Sequence, residues 1–119
     1  EKLGSENIDY IIADSKNKKT LLEMCKQCSV VACCVSLYLK YGSQLIAACI
    51  ETGTHYCDVT KEYPFVYQSI NDNHEKSKKG NVKIVHCCGY DSIPADIGAF
   101  LAYQNLRSHP TEIRGLYTA

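Results

Sequence analysis

Val30-Val31-Ala32-Cys33-Cys34-Val35 is apolar at every position. A short apolar run with this much β-branching reads as a parallel strand covered on both faces, and it belongs in the interior of a sheet. Upstream of it, Ile8-Asp9-Tyr10-Ile11-Ile12-Ala13 reads as a further strand, and residues 20–27 as a helix with Leu21, Leu22 and Cys25 on one face. Downstream, Leu45, Ile46, Cys49 and Ile50 recur at helical spacing, and Gly53 is placed to close that helix in a left-handed turn. Residues 55–59 form the next strand. Pro64 then opens a helix striped by Phe65, Val66, Ser69, Ile70 and Asn73, which turns polar from His74 and ends at Gly80. Residues 82–88 read as a strand, and Asp91-Ser92-Ile93-Pro94, which joins capping side chains to an early proline, starts a helix running to about Leu106.

This alternation predicts an α/β fold, a Rossmann-type open parallel sheet with helices on both faces. Ligands of such sheets lie beyond the carboxyl ends of the strands, which directs attention to Asp14, residues 36–42, residues 58–62 and residues 89–96. A sheet that binds nucleotide holds the pyrophosphate on closely spaced glycines between a strand and a helix. The seven glycines contain no such cluster, Gly80, Gly89 and Gly98 being among the nearest neighbours. The chain opens on Glu1-Lys2-Leu3-Gly4-Ser5-Glu6 with no methionine, so the expectation is an internal cut with the first strands and the glycine loop lying upstream.

Composition narrows the classes. The chain has 119 residues, 45% of them hydrophobic, enough for one core. Thirteen Lys and Arg balance thirteen Asp and Glu, so no broad field attracts nucleic acid or anionic membrane. No apolar run approaches the roughly 20 residues that span a bilayer. The eight cysteines sit within apolar runs, and the adjacent pairs Cys33-Cys34 and Cys87-Cys88 would point to opposite faces of strands, so reduced thiols in an intracellular, reducing compartment are expected.

Five stretches carry a resemblance: Tyr41-Gly42, Ala48-Cys49-Ile50, residues 53–60, His74-Glu75-Lys76, and Cys88-Gly89-Tyr90-Asp91-Ser92-Ile93-Pro94-Ala95-Asp96-Ile97-Gly98. Together they resemble the saccharopine dehydrogenase-like oxidoreductases, a family that includes trans-acting enoyl reductases of lipid synthesis, over more than half of the chain. The resemblance implies that residues 1–107 are the C-terminal part of an NAD(P)-binding Rossmann domain and that residues 108–119 begin a second domain for substrate or dimerisation. It implies hydride transfer with NADP or NAD, in lipid, glycolipid or amino-acid metabolism. The alternative is a non-catalytic Rossmann scaffold whose cofactor loop has decayed. Cofactor contacts are expected from Asp14, Val35, Ser36, Tyr38, Tyr41 and Gly42, and catalytic roles from Tyr38, Asp91 and Ser92. Expected partners are a small-molecule or lipid-linked substrate, a second copy in a homodimer, and a membrane or lipid-droplet surface reached through other regions; nucleic acid and metal are not expected.

Two departures from the family pattern matter. Val35-Ser36-Leu37-Tyr38 stands where the family has Val-Gly-Pro-Tyr, and Ser36 takes positive φ less readily than glycine. Lys61-Glu62 stands where the family often has Gly-Glu. Plainer roles compete with the chemical ones. Cys25-x-x-Cys28 lacks the further ligands of a zinc site and reads as packing, and His55, His74 and His86 read as core or surface residues. Tyr38 and Tyr41 could donate a proton or simply pack, and Asp91, Ser92 and Asp96 could cap a helix. The lysines at 76, 78 and 79 suit the end of a helix.

Overall fold

The computed structural model describes residues 9–115. Its elements are α1 (Lys18–Cys25), β1 (Val30–Cys33), α2 (Tyr38–Thr52), β2 (His55–Asp58), α3 (Tyr63–Lys79), β3 (Ile84–Val85) and α4 (Ile93–Gln104). The strands form one parallel sheet in the order β1-β2-β3, with Val31 opposite Tyr56 and Tyr56 opposite Ile84. A parallel sheet with intervening helices is the Rossmann-type arrangement read from the sequence.

The helices follow their apolar periodicity. Leu21 and Cys25 of α1, Tyr38, Gly42, Ile46 and Cys49 of α2, and Phe65 and Ser69 of α3 are buried at spacings of three or four residues. Asn17 caps α1 by accepting from the Lys19 N–H at 3.1 Å. Gly53, at φ 75°, closes α2 in the left-handed turn that its position predicts. The core comprises Leu21, Cys25, Cys33, Tyr38, Ile46, Ala48, Cys49, Tyr56 and Phe65, so α1, α2 and α3 share one face of the sheet. Complete burial of a side chain such as Ile46 or Phe65 contributes roughly 1.5–3 kcal/mol. Thr54 fastens the layers by donating from its hydroxyl to the Cys25 carbonyl at 2.8 Å.

Several expectations change. Of the strand expected at residues 8–13, Ile8 lies outside the described residues and residues 9–13 are not in a strand; they have no ladder partner, and Tyr10 and Ile12 are exposed. The run at residues 30–35 is not an interior strand among the described residues. It pairs only with β2, ends at Cys33, and presents Val30, Ala32 and Cys34 to solvent. The strand expected at 82–88 shrinks to Ile84–Val85, since Cys87 turns into the left-handed region at φ 61° and leaves the ladder. Neither cysteine pair is therefore wholly within a strand. The last helix ends at Gln104, with Ile97, Phe100 and Leu101 exposed. Among the described residues no helix is long and apolar enough to cross a membrane.

Candidate functional site

Two structures meet at the carboxyl edge of the sheet. One is a cavity of about 500 Å³ between the residues preceding α1, the end of β1 and the first turns of α2. Asp14, Val35, Tyr41 and Gly42 line it, with Leu21, Met24 and Leu45 supplying an apolar wall. Four of the six residues expected to contact a cofactor are therefore gathered in one place. Ser36 is outside the lining. Tyr38 faces the opposite way, into the core, where its hydroxyl donates to the Cys33 carbonyl at 2.9 Å and burial pushes its phenol above the ordinary range.

The cavity has the size and mainly apolar lining of a small-molecule site. Asp14 is exposed, with Oδ1 accepting the Lys16 N–H at 2.9 Å in a local turn. Lys16 and Lys40 place their ammonium groups 5.8 and 5.1 Å from the centre of the Tyr41 ring, within the range of cation–π attraction. The rim thus mixes two cations with one carboxylate. Gly42 serves packing as well as lining: a Cβ there would fall 2.6 Å from Cζ of Phe65, so glycine allows α2 to approach α3.

The second structure is a buried polar cluster on Asp58, the last residue of β2. Its Oδ2 lies 2.6 Å from His86 Nδ1 and accepts the Tyr56 hydroxyl at 3.1 Å; its Oδ1 accepts the N–H groups of Thr60 at 3.1 Å and Cys87 at 3.0 Å. Burial pushes this carboxyl up, but the bonds from His86, Cys87 and Thr60 outweigh it and hold the group below the ordinary carboxylate range. His86 Nε2 is 2.9 Å from Ser69 Oγ, which completes a serine–histidine–aspartate chain. Ser69 is in the middle of α3, so the chain ties α3 to the end of β2 and to the turn after β3.

In the sequence, Glu62 falls within residues 58–62, beyond the carboxyl end of a strand, and within the Lys61-Glu62 departure from the family pattern. In the structure its carboxylate accepts the N–H groups of Tyr38 at 2.9 Å and Leu39 at 2.8 Å, capping α2 from another segment. That N-terminus already holds an anion. Positive φ in this loop falls on Leu37, at 64°, and not on Ser36. A proline at position 37, with φ fixed near −65°, does not fit that backbone.

Asp91 and Ser92 stand across β2 from the cavity loop. The expected capping role is corrected: Ser92 occupies the N-cap of α4 at ψ −47° without a side-chain cap bond, and Asp91 pairs instead with Lys61 at 2.6 Å. Asp96 is in the first turn of α4. Among the described residues no group of three or more histidine, cysteine, aspartate or glutamate side chains is placed to hold a metal. All eight cysteines are free, and Cys25 meets Cys49, sulfur to sulfur at 3.7 Å, in the core.

The cluster and the trans cap could not be read from local sequence, because Asp58 and His86, or Tyr38 and Glu62, come together only through the crossovers. The available signal was polarity, namely an aspartate and a histidine near the ends of otherwise apolar strands.

The family model for the saccharopine dehydrogenase NADP-binding domain matches residues 1–85. Among curated proteins, the trans-acting enoyl reductase of Mycobacterium leprae is 36% identical over 106 residues, covering 87% of this chain and 25% of its own length. The trans-acting enoyl reductase of Mycobacterium ulcerans is 37% identical over 106 residues, covering 87% and 25%. The saccharopine dehydrogenase-like oxidoreductase of Bos taurus is 37% identical over 114 residues, covering 96% and 27%. The chain therefore spans about a quarter of the length of the curated relatives it matches. No solved structure matches it significantly.

Proposed function

The chain belongs to the saccharopine dehydrogenase NADP-binding domain family, and from that premise we propose that it forms part of the dinucleotide site of an NAD(P)-dependent oxidoreductase. The observation that carries the reading is the cavity at the end of β1, which gathers Asp14, Val35, Tyr41 and Gly42. A nicotinamide dinucleotide would supply hydride chemistry there, and the protein would supply binding and orientation. Leu21, Met24 and Leu45 offer an apolar wall to a planar base, Asp14 offers an acceptor to a ribose hydroxyl, and Lys16 and Lys40 offer charge to a phosphate. The N-terminus of α2 is not available to the pyrophosphate while Glu62 caps it.

On this reading the substrate lies toward residues 87–92, where Tyr90 and Asp91 are exposed. The names of the relatives favour a small-molecule substrate. A lipid-linked or amino-acid-linked substrate, a homodimer, a lipid-droplet or membrane association, a reducing intracellular location and a second domain beginning near residue 108 belong to the same proposal. The family resemblance supports the substrate, dimer, membrane and domain readings, with residues 91–94 favouring the lipid-linked branch, and the free cysteines within apolar runs support the reducing location. A non-catalytic scaffold is favoured by one observation: the hydroxyl of Tyr38 is spent on Cys33 in the core.

Fluorescence titration of the intact protein with NADPH and NADH, alongside a Val35→Trp variant that fills the cavity mouth, separates these readings. The oxidoreductase reading expects native binding and its loss in the variant at unchanged melting temperature. Absence of binding to either dinucleotide gives the scaffold reading precedence.

A further inference from the structure

Two residues at the carboxyl edge of the sheet, Leu37 after β1 and Cys87 after β3, are held at φ 64° and 61°. Side chains other than glycine adopt that region at a cost, and a branched leucine there is unusual. The third case, Asn81 at 52°, lies in the turn entering β3, where asparagine is tolerated. Leu37 cannot owe its conformation to its own packing, since its side chain is exposed and gives α2 no cap.

Both strained turns are clamped by carboxylates of one segment, residues 58–62, which begins at the last residue of the central strand. Glu62 takes the two N–H groups after Leu37, at 2.9 and 2.8 Å. Asp58 takes the N–H of Cys87 at 3.0 Å, and its carbonyl takes the N–H of Cys88 at 2.7 Å. Within the segment, Thr60 Oγ1 accepts the Glu62 N–H at 3.0 Å while the Thr60 N–H donates to Asp58, which joins the two clamps. Lys61 adds the ion pair to Asp91. Strained backbone persists only where its surroundings over-determine it, and it concentrates at functional sites.

We propose that Asp58 and Glu62 are positioning residues, which fix the loop at residues 34–37 and the loop at residues 86–92 in one relative geometry. The reacting end of the dinucleotide and its substrate would then meet over the end of β2, between the two loops. This rests on the dinucleotide reading of the cavity. Fixed loops cost stability through Leu37 and gain binding through preorganisation, so the two properties separate on mutation.

Three variants of the intact protein test this by NADPH titration and thermal melting. Glu62→Ala should bind NADPH at least about tenfold more weakly, and Glu62→Gln, which keeps one acceptor oxygen of the two, should recover only part of that loss. Leu37→Gly, which takes positive φ freely, should melt at or above the native temperature yet bind NADPH more weakly, a pairing that a purely structural role does not produce. Native binding that Glu62→Ala and Leu37→Gly both match overturns this inference and leaves the cofactor reading standing. A native protein that binds neither NADPH nor NADH overturns both.

Discussion

The carboxylate of Asp58 lies 2.6 Å from Nδ1 of His86, at the junction of the central strand, α3 and the turn after β3. Because Nδ1 faces a carboxylate it carries a proton, and in the neutral ring Nε2 then accepts from the Ser69 hydroxyl. Phe65 and Tyr56 set their rings edgewise to the imidazole, with centroids 5.4 and 6.0 Å away.

Removing Asp58 would leave the Tyr56 hydroxyl, the His86 ring and two backbone N–H groups without an acceptor. Asp58→Ala should therefore cost about 3 kcal/mol, measured by urea denaturation at neutral pH. A loss below about 1 kcal/mol would show the cluster to be solvated or replaceable.

The same carboxyl sets a pH dependence. Its folded value is below its unfolded value, so its contribution is fully present above the ordinary aspartate value of about 3.9 and disappears as pH falls through the folded value. Native protein should lose stability on acidification through that window more steeply than Asp58→Asn does. Parallel slopes for the two proteins would remove Asp58 as a source of the acid sensitivity.

Gly42 lets α2 contact α3 at Phe65. Gly42→Ala should cost about 1–3 kcal/mol through overpacking, and Phe65→Leu in the same protein should return part of it. Melting curves of the two single variants and the double variant measure the coupling; strict additivity would contradict the contact.

Cys25 and Cys49 are fully buried, and burial pushes both thiols above the ordinary range, whereas Cys28 and Cys34 are exposed. Under native conditions a maleimide should label Cys28 and Cys34 and spare Cys25 and Cys49 until the protein unfolds. Mass spectrometry of the labelled peptides decides this, and equal labelling of Cys34 and Cys49 in folded protein would be inconsistent with the core described.

Much of the fold could be read in the sequence because it is set by local pattern. The helical spacing of Leu45, Ile46, Cys49 and Ile50, the stop at Gly53 and the opening at Pro64 all follow from nearest-neighbour chemistry, and each stands where it was placed. Strand ends were less legible. Cys87 looks like a continuing strand residue, and only its bond to Asp58 explains why it turns away. Residues 9–13 have strand-like composition, but a strand also needs a ladder partner, which local composition cannot supply. At the site, Asp14, Val35, Tyr41 and Gly42 are named by the family resemblance; the convergence of parallel strand ends points by itself only to Asp14 and the loop at residues 36–42. Glu62 and His86 act through partners 17 to 28 residues away.

The central claim is that the cavity at the end of β1 receives a nicotinamide dinucleotide, and hydrogen exchange followed by mass spectrometry on the intact protein locates any such binding directly. Saturating NADPH should slow exchange in residues 13–15 and 35–42 and leave the polar end of α3, residues 74–79, unchanged. Protection confined to segments outside 13–15 and 35–42, with NADPH demonstrably bound, would contradict it.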